Sequence, residues 1–123
     1  MKLATNFLLV AAVEAMSEAA VLVSRHGLKS ADLVDLVSST IFTGPVYSGY
    51  GALIGERRYE PAAFKAVLGL KDVDLILAAA GQVNVQLPGA ELIRGHLQEA
   101  VDHGEGEMDL AVLAEVIERH NPA

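Results

Sequence analysis

The sequence predicts an all-α fold of five to six helices, and three observations carry the prediction. Hydrophobic residues fill 52% of the 123 positions and aromatics only 5%, so the apolar content is mainly Ala, Leu and Val. Ala and Leu are strong helix formers, whereas β-rich chains lean on aromatic and β-branched residues. No segment holds the period-two alternation of a half-buried strand. Glycine and proline fall at the ends of the apolar runs, where helices start and stop. A chain of this length reads as one helical domain, residues 1–123, able to build a core without disulfides or a metal.

The first helix is expected over about residues 2–26. No proline or glycine interrupts it, and Gly27 stands where a C-cap belongs. It is apolar on most sides, broken only by Glu14, Ser17, Glu18 and Ser24, which marks a central helix with different neighbours on its two sides. A short helix follows over 31–39, with Ser30 as N-cap and Asp32 in its first turn. Residues 40–61 are rich in glycine and proline and read as a loop with one short helix near VYSGYGALI. A second long helix is expected over FKAVLGLKDVDLILAAAGQVN, burying Val67, Leu68, Leu70, Val73, Leu75, Ile76, Leu77 and Ala80. Pro88 suits the first turn of the next helix, which Gly104 closes. After the linker EGEMD comes a last amphipathic helix, LAVLAEVIERH, fraying at Asn121-Pro122.

Charge and composition narrow the function. The chain has no cysteine, which excludes disulfides, zinc–thiolate sites and thiol catalysis. The net charge is −7, and Arg57-Arg58 is the one adjacent basic pair, the wrong balance for a phosphate-backbone binder. No nucleic-acid partner is expected. Glu14 and Glu18 interrupt the one candidate membrane span, so no membrane partner is expected either. The apolar stretch FLLVAAV is near the minimum length for a secretory signal, and the expected location is cytoplasmic.

Each motif has a bland reading beside its functional one. GYGALIG, residues 49–55, has fingerprint-like glycines but follows TGPVYS rather than a buried strand, so it reads as loop and helix-contact glycines. Four scattered histidines, without a carboxylate at matching spacing, give no metal site. Lys71 and Asp72 in LKDVDL read alone as the solvated edge of a helix.

Together, the segments KLATN, AVLVSRHGL, FKAVLGLKDVDL, GQVNVQLP and GEGEMDLAVL say more. In this order and spacing the chain resembles, over residues 1 to about 118, the C-terminal helical domain of the β-hydroxyacid dehydrogenases. That group contains 3-hydroxyisobutyrate dehydrogenase, tartronate semialdehyde reductase and glyoxylate reductases. The implied fold is similar to the 6-phosphogluconate dehydrogenase C-terminal domain. The resemblance implies an NAD- or NADP-dependent oxidoreductase whose Rossmann domain, supplied in cis or in trans, binds most of the cofactor. These 123 residues carry no such domain, so no cofactor is expected on the isolated chain, which is expected to be inactive alone.

The resemblance also implies roles for particular residues. Lys2 would be the catalytic lysine, and Asn6, one turn later, would hold a small hydroxyacid or semialdehyde substrate. Lys71 would lie on the nicotinamide side of the cleft, with Phe64 and Asp72 lining the pocket. The chemistry is sound on its own terms. Reduction of a carbonyl builds negative charge on oxygen, which a nearby ammonium stabilises and protonates. Such a lysine needs its proton affinity lowered, which burial along the apolar helix and a second cation can supply. The exposed apolar side of the first helix is expected to pair two copies of the chain. The alternative is a stand-alone helical dimerisation or interaction module without catalysis.

Overall fold

The computed structural model describes all 123 residues. It contains six α-helices and no strand: α1 Lys2–Arg25, α2 Ser30–Ser39, α3 Pro45–Glu56, α4 Ala66–Gln82, α5 Pro88–Asp102 and α6 Leu113–His120. A single 3-10 turn, Leu110–Val112, leads into α6. The long apolar α1 is the axis of the fold, and all five other helices pack on it. Twenty buried residues form one core, with Val10 and Val13 of α1, Val73 of α4, Leu97 of α5 and Val116 of α6 fully enclosed. By length and composition α1 also qualifies as a candidate membrane span, which corrects the expectation that its glutamates disqualify it. Its packing against every other helix is that of a core helix.

Local chemistry accounts for the helix ends. Gly27 adopts φ +80° after α1. Its N–H bonds Ser24 O at 3.0 Å, and Leu28 N–H bonds Val23 O at 3.0 Å, the paired closure that a left-handed residue allows. Gly104, also at φ +80°, closes α5 in the same way. Asn84, at φ 58°, takes the glycine's place after α4. Pro45 and Pro88 occupy the first turns of α3 and α5.

Several expectations are corrected. Ser30 does not cap α2; it lies inside the helix, and its hydroxyl donates to Ala20 O of α1 at 3.1 Å. The short helix expected near residues 46–54 is present, within α3 Pro45–Glu56. Leu68 and Leu75, assigned to the buried side of α4, are 51% and 46% exposed. Glu14 and Ser17, which looked like breaks in an apolar surface, are buried. The histidines are not all scattered: the rings of His96 and His120 meet edge to face at 5.2 Å.

The glycines of GYGALIG lie within α3, and two of them are contact residues. A Cβ on Gly51 would stand 2.5 Å from Val34 Cγ1, and one on Gly55 would stand 3.2 Å from the Ala31 backbone. They let α3 approach α2 closely. Gly49 has nothing within 4 Å.

Candidate active site

Two helices carry four of the five candidate residues and bring one pair of them into contact. Lys2 and Asn6, four apart, share one face at the start of α1. Lys71 and Asp72 lie in the first half of α4. Across the α1–α4 contact, Asn6 Nδ2 donates to Asp72 Oδ2 at 3.0 Å in a part-buried bond. Lys2 and Lys71 are exposed, and neither ammonium is among the ion pairs of the chain. A carboxylate oriented by an amide, with two uncommitted cations on the same two helix segments, suits a small anionic or carbonyl ligand. The desolvation that sequence reasoning asked α1 to provide for Lys2 is not provided by these residues, because the side chain stands in solvent.

Phe64 is positioned by a residue that sequence reasoning passed over. Asp109, read as part of a linker, is fully buried. One carboxylate oxygen accepts the N–H groups of Ala63 at 3.0 Å and Phe64 at 3.2 Å. The other caps the 3-10 turn by accepting from Ala111 N–H at 2.9 Å. Leu110 N–H also donates to Phe64 O at 2.7 Å. The segment entering α4 is thereby tied to the start of α6, and Phe64 packs half-buried on the core. The signal for this was an Asp directly before a helical turn, the preferred capping position.

The main clefts of the molecule lie away from the candidate residues. The largest cleft, about 340 Å³, lies toward the other end of α1, lined by Val21, Lys29, Ile54, Arg57, Tyr59 and Glu115 among others. There Arg57 Nε and the Tyr59 hydroxyl donate to Glu115 at 2.9 and 2.6 Å. Burial works against ionisation of Glu115, but these hydrogen bonds prevail and hold its carboxyl below the usual range. Neither this cleft nor an apolar groove of about 220 Å³ between α1 and α2 touches Lys2, Asn6 or Asp72.

This all-α unit, with five helices packed on a long central one, has the fold of part of two solved dehydrogenases. Residues 1–117 match the family described as NAD-binding of NADP-dependent 3-hydroxyisobutyrate dehydrogenase, and the chain belongs to that family. It is 41% identical over 116 residues to an uncharacterized oxidoreductase, YfjR, of Bacillus subtilis (strain 168), covering 94% of this chain and 40% of the relative. It is 30% identical over 117 residues to glyoxylate/succinic semialdehyde reductase 1 of Arabidopsis thaliana, covering 95% and 40%. The chain thus spans about two fifths of the length of these relatives.

Among solved structures, 3-hydroxyisobutyrate dehydrogenase from Salmonella typhimurium superposes with a TM-score of 0.86 at 19% identity, over 94% of this chain and 40% of that one. The Mycobacterium tuberculosis 3-hydroxyisobutyrate dehydrogenase gives 0.80 at 18% identity, over 94% and 42%. At these identities the two structures establish the fold.

Proposed function

We propose that this chain is the helical, catalytic and dimerisation part of an NAD(P)-dependent β-hydroxyacid dehydrogenase-like oxidoreductase. The whole enzyme would interconvert a small β-hydroxyacid and its semialdehyde or keto acid. The observation that carries this reading is the Asn6–Asp72 bond, which sets an oriented amide and carboxylate one helical turn from an uncommitted lysine. Lys2 holds the proton that reaches the carbonyl oxygen during reduction and recovers it during oxidation. Asn6, fixed by Asp72, presents its remaining polar atoms to the substrate, and Phe64 supplies an apolar wall. The NAD(P) cofactor supplies the hydride. These residues suit one wall of its site, with Lys71 facing outward as a cation for its anionic groups. Gly51 and Gly55 of α3 are occupied by their contact with α2, and Gly49 lies inside the same helix rather than in a phosphate-binding loop. A Rossmann domain, in cis or in trans, contributes the other wall and the desolvation that Lys2 needs.

Leu8 and Leu22 of α1 are 70% and 61% exposed and, with Leu36 of α2 at 62%, supply apolar surface of the kind that proteins cover. We assign that surface to a two-fold pairing of chains in a cytoplasmic enzyme. A monodisperse monomer at high concentration in light scattering would refute the pairing. This apolar surface also motivates the second reading, an interaction module without chemistry. Reconstitution separates the two. The purified chain is combined with a Rossmann domain from a relative and assayed for NADH- or NADPH-dependent reduction of small semialdehydes. Turnover that Lys2→Met abolishes supports the enzyme. Stable pairing of chains without turnover in any combination supports the module.

A further inference from the structure

Away from the candidate site, α1 carries a second ionisable centre. Glu14 is 4% exposed. Its Oε1 lies 2.7 Å from His96 Nδ1 of α5, while its Oε2 is buried and meets no donor. The His96 ring meets His120 of α6 edge to face, with an interplanar angle of 85°. His120 Nε2 in turn lies 2.8 Å from Glu99 Oε1, and Arg119 bridges to Glu105 at 2.8 Å. Glu18, one turn further along α1, is the other carboxylate acting on Glu14.

We propose that Glu14, His96 and His120 form a proton-operated clasp between α1 and the α5–α6 pair. One dissociable proton on the Glu14–His96 pair keeps the clasp closed, and its release loosens α5 and α6 from α1. The proton balance explains why. With the proton present, the pair is neutral overall, whether the carboxyl donates to Nδ1 or the imidazolium donates to the carboxylate. After release, the neutral imidazole still donates Nδ1–H to Oε1, but the pair carries one net negative charge. Oε2 then has no donor, and a buried unpaired charge is relieved only by admitting water between the helices.

Burial is the main influence on Glu14. The His96 hydrogen bond opposes it and Glu18 reinforces it, leaving the carboxyl at about 7 against an ordinary 4.5. Because the folded value is raised, this group's stabilisation is complete below the ordinary glutamate range and is lost as pH rises toward 7. Glu99 and Glu115 are shifted the opposite way, so their contributions are lost only as pH falls below that range.

The test uses the full chain, with its melting temperature followed from pH 5 to 8.5 for the native protein and Glu14→Gln. The native Tm should fall by about 5 °C or more across this range, while that of Glu14→Gln stays flat. Amide hydrogen exchange of the native protein, corrected for the intrinsic pH dependence, should speed up selectively in α5 and α6 relative to α2 and α3. Parallel Tm profiles for the two proteins would overturn the proposal. So would exchange that changes uniformly, and that measurement decides alone if Glu14→Gln does not fold.

Discussion

Asn6 and Asp72 stand 66 residues apart in sequence, yet the amide of one donates to the carboxylate of the other at 3.0 Å. The bond joins the first turns of α1 to the first half of α4 and fixes the side chain proposed to orient substrate. Asp72→Ala should therefore lower kcat/KM of the reconstituted enzyme by about 10- to 100-fold while costing about 1 kcal/mol of stability, the usual net worth of one such bond. Steady-state kinetics and urea denaturation measure the two effects separately. A stability loss with unchanged kinetics would make the bond structural.

Lys2 is exposed and makes no ion pair in this chain, so Lys2→Met should leave the circular dichroism and Tm unchanged. In the reconstituted enzyme the same change should cut kcat by about 10²- to 10⁴-fold, the range for a general acid–base group. Full activity in the variant would end its assignment as the proton donor.

The glycines of α3 make a contrasting pair. Gly51→Ala should destabilise the chain by about 1–3 kcal/mol, because its new methyl group meets Val34. Gly49→Ala, with open space around it, should be neutral or stabilise by up to about 1 kcal/mol through helix propensity. Chemical denaturation of both variants checks the pair, and equal effects would contradict the packing of α2 on α3.

Glu115 carries an acid-side dependence. Its carboxyl is held below the ordinary range by Arg57 and Tyr59, so its contribution is present above that range and lost as pH falls through the lowered folded value. Glu115→Gln should destabilise the protein at pH 7, by no more than about 1–2 kcal/mol because Arg57 is largely exposed. It should also flatten the decline below about pH 4.5. Denaturation midpoints at pH 3.5, 5 and 7 read both effects.

The helix map was largely legible because its punctuation is chemical. Gly27 and Gly104 adopt positive φ, and Pro45 and Pro88 open helices, each for a reason local to the residue. The face of α4 was less legible. That helix is apolar on most sides, so periodicity does not say which leucines lie inward, and Leu68 and Leu75 turned out exposed. Glu14, His96 and Asp109 escaped for a different reason. Each has a partner 45 or more residues away, and local pattern encodes only the cap of Asp109 on Ala111 N–H. The family resemblance set Asn6 and Asp72 about one pocket, but their mutual hydrogen bond was not legible, since either residue alone reads as an ordinary helix edge.

The hold of Asp109 on Ala63 and Phe64 has a consequence for the order in which the molecule matures. A growing polypeptide leaves the ribosome from its N-terminus, so Lys2, Asn6 and Asp72 are all made well before residue 109. Until that residue emerges, the segment leading into α4 lacks the acceptor that fixes its backbone, and a 46-residue span remains to be closed. The backbone that carries Phe64, the apolar wall proposed for the site, is therefore fixed only after α1 and α4 have both been made, by the Asp109 carboxylate. Termination between Gln82 and Asp109 would leave α1 and α4 complete and the backbone at Ala63 and Phe64 without its acceptor.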